Sequence, residues 1–202
     1  DAGSNGGGMY NISSNPMLTD CMFMSNTATS EGGGMWNTGG SNPTLDQCTF
    51  ENNTANDGGG MYNYDNSIPT LTDCTFENNT AFGGGGMFNY NSSPTLTGCT
   101  FTNNTAPYGG EMFNSGSSPT LTSCTFTRNT ADDGGGGMLN DVKSSPTLTD
   151  CTFADNTAVT VGGMFNNGGN PTLENCTFES NTADSSGGGL YNVSSSSPTL
   201  YF

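Results

Sequence analysis

The chain contains no histidine and only two cationic side chains, Arg128 and Lys143, against eighteen carboxylates, a net charge of −16. Such a balance argues against nucleic acid or an anionic membrane as partner, because phosphate groups would meet like charge. Long apolar runs are missing too, and nothing approaches the ~20 consecutive apolar residues of a membrane-spanning helix. Leu, Ile, Val and Phe together supply only 28 of the 202 residues, about 14%. That lies below the roughly 20% under which a highly charged chain is usually disordered. By composition alone the chain reads as an acidic, disordered segment. The order of its residues says otherwise.

A methionine recurs at Met9, Met35, Met61, Met87, Met112, Met138 and Met164, and Leu190 completes the series. The spacing is 26 residues, with one step of 25. Prolines keep the same time at Pro16, Pro43, Pro69, Pro94, Pro119, Pro146, Pro171 and Pro198. The unit reads G-G-G-M-Y-N, a polar loop, then P-T-L-T-D-C-T-F-x-x-N-T-A. A fixed period of this length means a solenoid, propeller or array. Gly, Pro, Asn and Thr are poor helix residues. Leu, Cys and Phe separated by polar Thr or a turn follow the period of two of a half-buried strand. About three short strands per coil result, around G-G-M-Y-N, P-T-L-T and C-T-F. A propeller blade needs about 40 residues and a leucine-rich repeat its own Leu pattern, so both fit badly. The expectation is one all-β domain over residues 1–202, a single-stranded parallel β-helix of about eight coils of roughly 26 residues. Coils stacked ~4.8 Å apart make a rod on the order of 40 Å long.

The pairing of G-G-G-M, as at Gly58 to Met61, with F-x-x-N, as at Phe76 to Asn79, resembles the repeat signature of chlamydial polymorphic outer-membrane proteins. It is also similar to many secreted bacterial right-handed β-helix proteins. The resemblance covers essentially the whole chain and implies a right-handed β-helix. It implies little about function, since the wider fold hosts adhesins, polysaccharide lyases and phage tailspikes.

In a solenoid each repeat position becomes a ladder. Cys21, Cys48, Cys74, Cys99, Cys124, Cys151 and Cys176 alternate with outward Thr and are expected inside, as reduced, small apolar residues. Parallel strands in register aim these side chains alike, which suits a disulfide dihedral poorly. No C-x-x-C spacing suggests a metal. Asn26, Asn53, Asn79, Asn104, Asn129, Asn156 and Asn181 follow Phe by three and should brace the turns by bonding to their own coil and to the next Asn. Asn11, Asn37, Asn63, Asn89, Asn114, Asn140, Asn166 and Asn192 should do the same two residues past Met.

Beside the Met row runs a second apolar row, Tyr10, Trp36, Tyr62, Phe88, Phe113, Leu139, Phe165 and Tyr191. Adjacent strand residues face opposite ways, so with Met inward this row points out, as an assembly or ligand stripe larger than a monomer usually exposes. A local bulge burying both rows is the alternative. Thr pairs such as Thr70 and Thr72 resemble the T-x-T arrays of ice-binding solenoids, but Met17, Asp46, Glu174 and Tyr201 interrupt them.

No catalytic residues are assigned. The carboxylates are scattered over different ladders, without a compact acid–base pair. Arg128 occupies the same repeat position as Asp155, so a surface ion pair is expected rather than a catalytic base. No cofactor is expected beyond weak Ca²⁺ binding around Asp57, Asp132, Asp133 and Asp184. Seven N-x-[ST] sequons (Asn11, Asn52, Asn78, Asn91, Asn103, Asn175 and Asn192) are glycan acceptors only in a eukaryotic secreted setting. The chain starts without Met, and neither end carries the polar cap of a terminal repeat, which suggests head-to-tail stacking. The expected role is an extracellular or cell-surface structural protein, not an enzyme, whose partner is itself, head-to-tail or laterally. An adhesin passenger binding glycan or a host receptor is the alternative. Ice binding and polysaccharide lysis rank below.

Overall fold

A computed structural model describes residues 5–201, which form one right-handed parallel β-solenoid of strands and turns. Among the described residues there is no helix. The G-G-M-Y-N segments form an eight-stranded sheet running from Met9–Ile12 to Leu190–Val193 (the Met sheet). The P-T-L-T segments form a second eight-stranded sheet, Met17–Thr19 to Thr199–Tyr201 (the Leu sheet), and the C-T-F segments a seven-stranded one, Met22–Met24 to Thr177–Glu179 (the Phe sheet). Eight stacked Met-sheet strands enclose about seven full turns, slightly fewer than the eight coils counted in the sequence.

Like sits on like throughout. Met9 pairs with Met35 and Tyr10 with Trp36, and the register holds across the shortened repeat, where Met87 meets Met112. The missing residue is therefore absorbed in a loop. A fourth sheet was not expected. Its strands are the two-residue segments Thr105–Ala106, Thr130–Ala131, Thr157–Ala158 and Thr182–Ala183. Two residues are too few to show a period, and Ala is too small to announce a core position.

The corners have a simple chemistry. A single left-handed residue precedes each Cys (Asp20, Gln47, Asp73, Gly98, Ser123, Asp150, Asn175), and another precedes each Asn of the F-x-x-N motif. Short polar side chains and glycine tolerate that conformation best. Arg128, at φ 55°, is the conspicuous exception. It and Asp155 are exposed in equivalent turns. The expected ion pair between them is not formed: on exposed turns an Arg and an Asp gain too little from pairing to offset the entropy of holding the long Arg side chain in place.

The interior contains Met, Leu, Cys and Phe from successive coils. The Phe rings from Phe23 to Phe178 stack with centroids 4.4–5.1 Å apart and planes within 25°. All seven cysteines are free, and the five from Cys48 to Cys151 are buried. Their thiols donate to backbone carbonyls, as Cys74 Sγ does to Thr72 O at 3.3 Å. Burial pushes the Cys48 thiol above its ordinary pKa. The ladder behaves as small apolar packing.

Both asparagine ladders form. Asn79 Nδ2 donates to Phe50 O at 2.9 Å and to Asn104 Oδ1 at 3.0 Å, while Asn79 N donates to the same Oδ1 at 2.8 Å. Asn79 Oδ1 in turn accepts from Asn53 N and Nδ2, both at 3.0 Å. In the second row, from Asn11 to Asn192, each Nδ2 donates to the next Oδ1 at 2.8–2.9 Å. A serine ladder escaped the sequence reading: Ser41, Ser67, Ser92 and Ser117 each donate a backbone N–H to the hydroxyl one coil on, at 2.9–3.1 Å. The serine two before each repeat proline except Pro171, where Gly169 stands, was the visible signal.

Replacing Asn79 by Ala strips the acceptor from Asn53 and the donor from Phe50 O, leaving buried groups unpaired. Chemical denaturation should show a loss of about 2–5 kcal/mol. Asn78→Gly, one residue away on the exposed left-handed turn, should change stability by no more than about 0.5 kcal/mol.

Candidate binding face

In every Met-sheet strand the first and third residues, Met and Asn, face the interior, while the second and fourth face out. The alternation is regular, so no bulge carries the aromatic row into the core. The row is nevertheless far less exposed than the sequence suggested. Only its end residues are exposed, Tyr10 at 45% and Tyr191 at 36%; Trp36, Phe113 and Phe165 are half-buried, and Tyr62, Phe88 and Leu139 are buried at 9%, 7% and 5%.

Two causes account for this. Rings one coil apart cover each other's faces: Tyr10 and Trp36 lie 4.3 Å apart at 7°, Tyr62 and Phe88 5.2 Å apart at 26°. Such pairs contribute about 0.5–1.5 kcal/mol each beyond buried area. The loops leading into the strands supply the rest of the cover. The Gly83 backbone lies so close to the Phe88 ring that a Cβ there would stand 3.0 Å from it. Gly134 lies against Leu139 in the same way.

The row opens in two places, both where ring stacking fails. Trp36 and Tyr62 are 6.4 Å apart and tilted by 49°. Beside them is a groove of about 350 Å³ lined by Glu31, Trp36, Tyr62 and Tyr64. The Glu31 carboxylate accepts the Ser30 hydroxyl at 2.6 Å. Burial, then the negative charge of Glu31, raises the pKa of Asp57. Burial raises the Tyr62 phenol as well, with Asp57 and Glu31 adding to it, so the hydroxyl stays a donor at neutral pH. The second opening, about 400 Å³, lies where Leu139 replaces a ring between Phe113 and Phe165. Phe82, Tyr108, Asp141 and Asn167 complete its lining. Phe82, Tyr64, Tyr90 and Tyr108 were missed in the sequence because they occur in variable parts of the repeat and build no full ladder.

The acidic residues weighed for Ca²⁺ are Asp57, Asp132, Asp133 and Asp184. Asp57 lies beside Glu31, and Asp133 accepts the Thr160 hydroxyl at 2.9 Å. Among the described residues no three His, Cys, Asp or Glu side chains converge. The sequon residue Asn11 has its amide committed to the inner ladder through Asn37, whereas Asn52, Asn78, Asn91 and Asn175 are exposed.

One titratable group is out of place. The glycine immediately before Met is replaced in a single coil by Glu111, which is fully buried. Its carboxyl lies over Gly86 of the preceding coil, in the space that a Cβ there would occupy. Neither oxygen has a hydrogen-bond partner. Burial raises its pKa well above the ordinary range. The neighbouring Asn104 carboxamide pulls weakly the other way, but its two N–H bonds go to Phe76 O and Asn129 Oδ1. Glu111 is therefore held as the neutral acid. Below about pH 4.5 the carboxyl is protonated in both the folded and unfolded chains and has no effect on the pH dependence. As pH rises further the unfolded chain ionises first, so stability falls by up to about 1.4 kcal/mol per pH unit until the raised folded pKa is reached. Glu111→Gln should remove this slope from denaturation measured between about pH 4 and pH 8. Glu111→Gly, which restores the repeat, should also raise stability at neutral pH by about 1–3 kcal/mol. An unchanged slope in both variants would contradict the assignment.

A family model described as right handed beta helix region matches residues 2–126 and 81–202, together nearly the entire chain. No curated protein and no solved structure matches it.

Proposed function

Since the chain belongs to the right-handed β-helix family, a family that includes both enzymes such as pectate lyases and non-enzymes, we propose that it is a non-catalytic, extracellular solenoid whose outer aromatic face holds neutral glycan. The observation that carries this reading is the groove formed by Glu31, Trp36, Tyr62 and Tyr64. An indole and two phenol rings offer apolar surface to the C–H face of a sugar. The Glu31 carboxylate and the phenol hydroxyls give its hydroxyl groups partners. A net charge of −16 disfavours uronate or sulfated chains, so the ligand class is neutral.

Trp36 is the single tryptophan of the chain, so its fluorescence reports on this groove directly. Titration with a panel of neutral oligosaccharides should produce a saturable shift for at least one of them. Trp36→Phe, followed by calorimetry, should weaken that binding about tenfold, roughly 1.4 kcal/mol. No saturable response to any neutral glycan would count against the reading.

Self-association is the second reading. The strands Met17–Thr19 and Met22–Met24 carry exposed, outward-facing Met17, Met22 and Met24 where the next coil has Thr44, Thr49 and Glu51, and apolar groups on an outer face favour lateral contact with another copy. Electron microscopy separates the two, since single rods favour glycan display and fibres favour assembly.

A further inference from the structure

We propose that the second opening, where Leu139 interrupts the aromatic row, is a binding site for an organic cation of the quaternary-ammonium type. It is a different groove from the one assigned to glycan, so either assignment can fail alone.

The site exists because one ring is missing from the row. Phe113 and Phe165 belong to coils on either side of Leu139, and both pair in register with it. Two coil steps separate them by roughly 9–10 Å. A group seated over Leu139 has the Phe113 ring on one side and the Phe165 ring on the other, and an aromatic ring attracts a cation that comes within ~6 Å of it. Phe82 and Tyr108 stand to one side, edge to face at 5.4 Å and 69°, and both are exposed. Four aromatic rings thus line a groove of about 400 Å³.

The anion is Asp141, which shares the outward side of its strand with Leu139 and lines the same groove. Asn167 Nδ2 donates to Asp141 Oδ1 at 2.9 Å, which orients the carboxylate while leaving its other oxygen for a ligand. No ion pair with another described residue neutralises it. The chain's net charge of −16 adds a long-range attraction for cations.

Hydrogen-bonding capacity decides the class of cation. Apart from the Tyr108 hydroxyl, Asp141 and Asn167 are the only polar side chains in the lining, and they bond to each other. A sugar or a primary ammonium brings several donors, most of which this lining leaves to water and does not bond itself. A trimethylammonium group has none. It presents methyl surface to the rings and a positive charge to their faces and to Asp141.

Choline is the probe, with its uncharged carbon analogue, in which C replaces N⁺, as control. Calorimetry on the full chain should show saturable choline binding, at least tenfold tighter than the analogue. Asp141→Asn should weaken choline about tenfold and leave the analogue unchanged. Leu139→Phe restores the ring found in the other coils, fills the slot and should abolish binding, with a melting temperature close to that of the wild type. If that variant fails to fold, Phe113→Leu serves instead and should lose at least tenfold. Choline should leave Trp36 fluorescence unchanged. Equal affinity for choline and its analogue, binding that survives Leu139→Phe, or a Trp36 response that tracks choline binding would each overturn the proposal.

Discussion

Each carboxamide from Asn53 to Asn156 links the coils on both sides of its own. Asn104, for example, donates from one side-chain nitrogen to Phe76 O and to Asn129 Oδ1, and its backbone N–H goes to that same oxygen. Shifting one coil by a residue would break these bonds and leave amides buried without partners, a penalty of about 1–3 kcal/mol for each group. It would also turn every strand side chain to the opposite face. The ladder therefore fixes the register, and the register brings like residues together: Phe on Phe, Met on Met, Cys on Cys. This arrangement allows a chain so poor in Leu, Ile and Val to build a core. Its apolar residues are few, but each is placed against its own kind.

The same register shapes the outer surface. Rings repeated at one position stack on one another and close most of the row to solvent. Two ligand-sized openings lie where the repeat is imperfect, at the tilted Trp36–Tyr62 step and at Leu139. The interior shows a parallel case. Glu111 in a glycine column is the one buried carboxyl without a partner among the described residues. In a repetitive solenoid, departures from the consensus are where chemistry can differ from coil to coil.

The fold was legible because a solenoid writes its geometry as a period, and the inward ladders of Cys, Met, Phe and Asn followed directly from alternation. The outward rows were harder to read. Alternation states that Phe88 points away from the core, but not that Tyr62 stacks on it or that the Gly83 loop lies against it. Exposure depends on contacts made by the variable loops, which carry no ladder signal. Phe82 and Tyr108 come from such loops, so the groove they border could not be read from the consensus. The unformed Arg128–Asp155 pair shows another limit: sharing a repeat position brings two side chains near, but on an exposed turn nothing holds them together.

Amide hydrogen exchange resolved by residue tests the register ladder most directly. The backbone N–H groups of Asn53, Asn79, Asn104 and Asn129 are bonded only to side-chain oxygens of the next coil. They should exchange as slowly as the strand amides of the central coils, through opening of the whole rod, with protection declining toward the outer coils. Exchange of these four amides at the rate of an unstructured chain, while the strands stay protected, would contradict the claim that the asparagine ladder sets the fold.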